Sequence, residues 1–184
     1  KFPDNMKHLE LTRDRFCFCC LTSLRHSDLD ILRRANFDNP TDPTRISFVS
    51  KKTNDGLTIF LVPEAIELYK KYISIPTGGL AFPKKSNQKM NKGLKEIAKM
   101  LDFTREVEVM QYCGKTPVYR TAPLCEVIGT HAARRTFVVH ALEEGMSPEM
   151  VMTFTGHADY DTMKPYIALT DKKRQSALLD SFRM

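Results

Sequence analysis

The stretch THAARRTFVVHALEEG, residues 130–145, decides how the rest of the chain reads. Its apolar positions recur at helical intervals, so Val138, Ala141 and Leu142 share one face and would pack inward. His131 and Arg134, three residues apart, carry that face on toward the N-terminal end of the helix. A histidine and an arginine at the upper end of a buried face are costly unless they meet an anionic partner. Taken alone, the pair also fits a core histidine beside a salt-bridged arginine.

Downstream, SPEMVMTFTG predicts a short helix with Ser147 as N-cap, Pro148 in the first turn and Gly156 as stop. GHADYDTMKPY follows, placing Tyr166 nine positions after His157 and directly after Pro165. A free phenol is a weak nucleophile, because its pKa of about 10 leaves almost no phenolate near neutrality. Tyr166 is therefore either packed core or activated by neighbours, and Pro165 restricts the backbone just before it. The tail DKKRQSALLDSF reads as an amphipathic helix with Ala177, Leu178 and Phe182 on one side.

Upstream, residues 11–24 are apolar on nearly every side, as in a helix buried mid-domain. Ser27 is a good N-cap for a second helix through LDILRRA, with Asp28 and Asp30 in its first turn. RISFVS and LTIFLV flank KKTNDG and predict a hairpin, after which Pro63 opens PEAIELYKKY. Beyond the loop SIPTGGLAFPKK, Ser86 caps a polar helix through NQKMNKGLKEIAKM. EVEVMQY and PVYRT around Gly114 suggest a second, weaker hairpin. The predicted class is mainly α with one or two small β-hairpins, an α+β arrangement.

Composition narrows the function. In 184 residues, 42% hydrophobic and 27% charged content describe an ordinary globular domain. The net charge of +6 favours a polyanionic partner such as nucleic acid or an anionic membrane. No run of eighteen apolar residues occurs, so no transmembrane helix is expected, and KFPDNMKHLE lacks the apolar core of a signal peptide. Cys17, Cys19 and Cys20 crowd into one apolar segment, away from Cys113 and Cys125. That spacing suits neither a disulfide framework nor zinc, and points to a reducing, intracellular compartment.

Arg25 lies at the junction of the two predicted N-terminal helices, and Lys52 at the tip of the first hairpin. Neither means much alone. Two arginines, a lysine and two histidines without a metal-binding carboxylate cluster suit a phosphodiester, whose non-bridging oxygens a forked guanidinium matches. In that setting Tyr166 becomes a covalent nucleophile.

The order R-x-x-D (Arg25 to Asp28), a hairpin K-T, H-x-x-R-R-T, G-H and a tyrosine nine residues on resembles the tyrosine recombinase, or phage integrase, family. The likeness runs from about residue 9 to 182, and SNQKMNKGLKEIA and MKPYI look most like integrases of Bacteroidetes mobile elements. The resemblance implies the tyrosine recombinase catalytic fold. It implies that Arg25 and Arg134 hold the scissile phosphate, Lys52 protonates the leaving 5′-oxygen and His131 assists proton transfer. His157 would hydrogen-bond the phosphate, and Tyr166 would attack to give a 3′-phosphotyrosyl link and a free 5′-hydroxyl. Asp28 resembles a brace. The link stores bond energy, so no cofactor and no metal is expected.

Two positions depart from the pattern. Ser23 stands where the family usually has glycine before the Leu-Arg pair, which predicts a small backbone adjustment. Lys51 precedes Lys52, and only one of them can face the cleft, since side chains alternate along a strand. The K-T pattern favours Lys52.

The resemblance further implies a single C-terminal catalytic domain over residues 1–184, with 1–8 as its boundary and the core-binding and arm-binding domains outside the chain. Double-stranded DNA, and no membrane, is the partner it implies, bound mainly through phosphates and sensitive to salt. Self-association into a tetramer on DNA, aided by the tail and by accessory DNA-bending proteins, is expected in the bacterial cytoplasm at the nucleoid. A type IB topoisomerase and a non-catalytic DNA-binding relative are the alternatives; if adducts outlasted the loss of Tyr166, Tyr160 or Tyr119 would be the next to test.

Overall fold

The computed structural model describes residues 2–51, 55–157 and 159–168. Among them no helix is long and apolar enough to cross a membrane. A 3₁₀ segment, Asp4–Leu9, leads into α1 (Glu10–Thr22), which packs against most of the later helices. The interior of α1 departs from expectation. Phe18 and Cys19 are buried as predicted, but so are Thr12, Asp14 and Arg15. Polar groups survive there because distant partners satisfy them: Asp14 accepts from Tyr72 Oη at 3.0 Å and Lys71 Nζ at 3.2 Å.

The second helix is shorter than predicted. α2 spans only His26–Leu29, its N-cap is Arg25 rather than Ser27, and no side chain caps it. The two aspartates serve tertiary contacts instead of a longer helix. Asp28 accepts the Lys51 backbone N–H at 3.0 Å, and Asp30 pairs with Arg15. The chain then extends, bridging Arg33 to Leu80, before a 3₁₀ turn at Arg34–Asn36. The Arg34 guanidinium donates to the carbonyls of Tyr72 and Ile75, so LRRA ties two loops together rather than continuing α2.

The remaining elements follow their local signals. β1 (Arg45–Val49) and β2 (Gly56–Phe60) form the first antiparallel hairpin, with Ile46 paired to Ile59 and both facing the core. Pro63 occupies the first turn of α3 (Pro63–Lys70). The Ser86 hydroxyl accepts from Lys89 N–H at the start of α4 (Asn87–Met100). Between them the Pro- and Gly-rich loop drives Phe82 into the core against Phe18 and Tyr72, with ring centroids 4.9 and 5.0 Å apart.

β3 (Glu106–Cys113) and β4 (Thr116–Pro123) make the second hairpin, turning at Gly114 with φ +64°. Its outer half is exposed, including Met110, Tyr112 and Tyr119. α5 (Leu124–Val127), α6 (His131–Glu143) and α7 (Pro148–Thr155) follow, then a 3₁₀ turn at Tyr160–Thr162 and a helical turn over 164–168. Ser147 caps α7 and Gly156 ends it at φ +60°. Glycine is needed twice over there, because a Cβ would also stand 3.1 Å from Leu57.

Two apolar clusters result. The larger joins α1, α2, the first hairpin and α3; the smaller joins Val138, Ala141 and Leu142 of α6 to Val151 and Met163. The described residues are thus mainly helical with two small antiparallel hairpins, as the sequence predicts. The predicted tail helix and the Ala177, Leu178 and Phe182 stripe lie outside the described residues.

Candidate active site

The site forms where the end of α1, the start of α6 and the end of α7 meet. α1 stops because Ser23 adopts the left-handed region, φ 59° and ψ 2°. That turn reverses the chain and delivers Arg25. Ser23 is buried and its Oγ donates to the Phe154 carbonyl at 2.9 Å, clamping α1 to α7. The serine thus holds a conformation that glycine adopts without strain.

Arg25 sits at the entrance of α2, its side chain 16% exposed. One Nη lies 3.7 Å from Asp28 Oδ2 and donates to Ser50 Oγ at 3.4 Å. Asp28 is buried, and its other oxygen accepts the Lys51 backbone N–H. A single carboxylate therefore orients the arginine and draws in the end of β1. Lys52 lies outside the described residues; Lys51, beside it, is exposed.

On the opposite wall, α4 holds the start of α6. Thr130 Oγ1 donates to Asn87 Oδ1 at 2.8 Å, and the Thr130 N–H donates to Asn91 Oδ1 at 2.9 Å. His131, the first residue of α6, is exposed at the cleft, and Arg134 lies one turn further in. Arg134 is only 4% exposed. Its Nη1 donates to the Ser23 carbonyl at 3.1 Å, and its Nη2 to the Thr155 carbonyl and to His157 Nε2, the latter at 3.2 Å. Among the described residues no carboxylate forms an ion pair with it.

Burial pushes the Arg134 guanidinium down to about 10, and the positive charge of Arg25 adds to that fall; Asp28 and Tyr166 oppose it. These couplings place Arg25, Asp28, Arg134 and Tyr166 in one electrostatic neighbourhood. His157, released by the Gly156 turn, points back at this centre, its Nδ1 2.8 Å from Thr155 Oγ1. Tyr166 is half-buried and packs on the smaller apolar cluster, its N–H bonded to the Met163 carbonyl at 2.9 Å. Tyr160 is exposed in a 3₁₀ turn, and Tyr119 stands on the outer half of the second hairpin.

A cleft of about 290 Å³ opens here, lined by Leu24, Arg25, Ser27, Asn87, His131 and Arg134 among others. Among the described residues no three His, Cys, Asp or Glu side chains gather as a metal-binding group. The structure brings Arg25, Asp28, Arg134, His157 and Tyr166 together, with His131 on the cleft wall. It also adds Ser23, Ser50 and Thr155, which sequence reasoning did not assign to the site as partners. Only Thr155 had a usable signal, as the last helical residue before Gly156 and His157.

Such an arrangement can bind a tetrahedral anion. Two guanidinium groups line one cleft, among the described residues the deeper one has no carboxylate in ion-pair contact, and the charge of a phenol reaches it. Known structures share this fold. XerA recombinase superposes with a TM-score of 0.61 at 14% identity, matched over 100% of this chain and 65% of its own. XerH site-specific recombinase, in a pre-cleavage complex bound to difH substrate, gives 0.65 at 15%, over 100% of this chain and 50% of its own. The catalytic domain of bacteriophage HP1 integrase gives 0.56 at 14%, over 96% of this chain and 92% of its own. The chain thus spans two thirds or less of the two recombinases and nearly all of the catalytic domain. No curated protein sequence matches it. The Phage integrase family matches residues 2–173, nearly the whole chain, and this protein belongs to that family.

Proposed function

We propose that the chain is the catalytic domain of a site-specific DNA recombinase, which cleaves and rejoins DNA through a 3′-phosphotyrosyl intermediate to move a mobile element. One observation carries the reading: Arg134 is buried and cationic, forms no ion pair with a carboxylate among the described residues, and lines one cleft with Arg25, within reach of the charge of Tyr166. A phosphodiester would supply the missing anion.

In this reading Arg25 and Arg134 hold the two non-bridging oxygens, and their charge stabilises the negative charge that builds on them. Tyr166 Oη attacks phosphorus as its proton passes to His131, the bond to the 5′-oxygen breaks, and Lys52 gives that oxygen a proton. His157 hydrogen-bonds the phosphate, and Asp28 braces Arg25. Rejoining reverses the steps with a 5′-hydroxyl from another strand. Exchange between two duplexes needs four such sites, so the chain would act within a tetramer on double-stranded DNA, with accessory DNA-bending proteins, at the nucleoid.

The test uses duplexes with randomised sequence and a nick beside the cut position, which traps the covalent product. The expected result is a protein–DNA adduct that sequencing places at a preferred site and peptide mapping places on Tyr166. Tyr166→Phe should abolish the adduct and spare non-covalent binding; an adduct that persisted would move the nucleophile elsewhere. Ligation of a partner strand identifies a recombinase, whereas religation of the same strand alone identifies a type IB topoisomerase.

A further inference from the structure

We infer that Thr155 is a positioning residue that fixes the ring orientation and tautomer of His157, so that the proton of this histidine comes and goes only at Nε2. The role of His157 at a phosphate rests on the function proposed above; the tautomer does not. Thr155 is fully buried in the last turn of α7. Its hydroxyl has one proton, and that proton has helix carbonyls to serve: Val151 at 2.9 Å and Met152 at 3.4 Å. Toward His157 Nδ1, 2.8 Å away, Thr155 Oγ1 therefore presents a lone pair, and Nδ1 carries hydrogen.

The other end of the ring requires the same tautomer by an independent route. Arg134 Nη2 lies 3.2 Å from His157 Nε2, and a guanidinium has donors but no acceptor. A neutral ring must offer it the Nε2 lone pair, leaving hydrogen on Nδ1. The result is a chain of donors in one direction, from Arg134 Nη2 through His157 and Thr155 Oγ1 to the Val151 carbonyl. When a phosphate oxygen replaces the arginine at Nε2, the ring must gain a proton there to donate to it. The Nδ1–H bond to Thr155 is present in both forms, so the ring need not turn. The Arg134 bond to Thr155 uses the backbone carbonyl and is indifferent to the side chain. A merely structural threonine would not select a tautomer.

The experiment is long-range proton–nitrogen correlation of the five imidazoles in the ¹⁵N-histidine-labelled 184-residue chain, with His157→Gln to assign the signal. Wild type and Thr155→Ser should show hydrogen on Nδ1 and a bare Nε2. Thr155→Val, close in volume but without an acceptor, should show the other tautomer or exchange between the two. At saturating nicked duplex, its adduct rate should fall roughly tenfold, as expected for one lost orienting hydrogen bond, while Thr155→Ser stays near wild type. Hydrogen on Nε2 in the neutral wild type overturns the proposal, even if Thr155→Val does not fold. So does a Thr155→Val chain whose tautomer or adduct rate matches wild type. If no variant forms adducts, the recombinase reading fails, and the spectra still decide the tautomer.

Discussion

Arg15 on α1 and Arg134 on α6 are both buried, at 0% and 4% exposure, yet the chain treats their charges in opposite ways. Arg15 meets a carboxylate: it pairs with Asp30 and donates to the Pro83 carbonyl at 2.7 Å. Its charge is neutralised where it stands, tying α1 to the segments after α2 and before α4. Among the described residues, Arg134 donates only to neutral acceptors, the Ser23 and Thr155 carbonyls and the His157 ring. Those groups fix its direction without cancelling its charge, and burial with Arg25 nearby weakens its hold on the proton. The difference separates an arginine that closes a fold from one that waits for an anion.

The contrast breaks or holds on two substitutions that keep side-chain volume. Arg134→Met should cut adduct formation on a nicked duplex by roughly 10²–10³-fold, the scale for losing one preorganised charge donor in a transition state. Its thermal midpoint should move less than that of Arg15→Met, because no carboxylate is stranded. Arg15→Met leaves Asp30 and the Pro83 carbonyl without their donor. Breaking a buried pair costs roughly 3–5 kcal/mol, and since the Asp30 side chain is 28% exposed, about 2–3 kcal/mol is expected here. For a chain of this size that is a fall of roughly 4–12 °C in the calorimetric midpoint. If Arg134→Met proved the more destabilising and Arg15→Met the more inactivating, the assignment of roles would be reversed.

Sequence reasoning succeeded where the cause of a structure is local. Ser86, Ser147, Pro63 and Gly156 each act within a turn or two of themselves, and each does what its residue type predicts. The length of α2 was not legible, because Asp28 and Asp30 are engaged by Lys51 and Arg15, whose distance along the chain hides them from any helical window. The apolar reading of α1 missed Arg15 for the same reason: its partners arrive from two later segments. Within the site, charged and aromatic residues in a fixed order stood out, and the structure gathers Arg25, Asp28, Arg134, His157 and Tyr166 while His131 lines the cleft. The carbonyls of Ser23 and Thr155 beneath them were invisible, since any residue type carries one, and only the place of Thr155 before Gly156 and His157 marked it.

Ser23 offers the smallest effect and the finest test of that cradle. At φ 59° a side chain costs about 1–2 kcal/mol relative to glycine, so Ser23→Gly should relieve strain. The same change removes the hydrogen bond to the Phe154 carbonyl, worth about 1 kcal/mol, and adds unfolded-chain freedom worth about 0.4–1 kcal/mol. These terms nearly cancel, and the midpoint should shift by no more than about 4 °C in either direction. Ser23→Ala keeps the strain and loses the hydrogen bond, so it should be the less stable of the two by calorimetry. Neither touches the Ser23 carbonyl that Arg134 uses, and adduct rates should stay within about twofold of wild type, well inside the tenfold expected of one lost hydrogen bond. A Ser23→Gly chain as inactive as Arg134→Met would mean that the serine side chain, through its clamp on α7, holds the arginine in place. The buried cation would then depend on one hydroxyl as much as on two carbonyls.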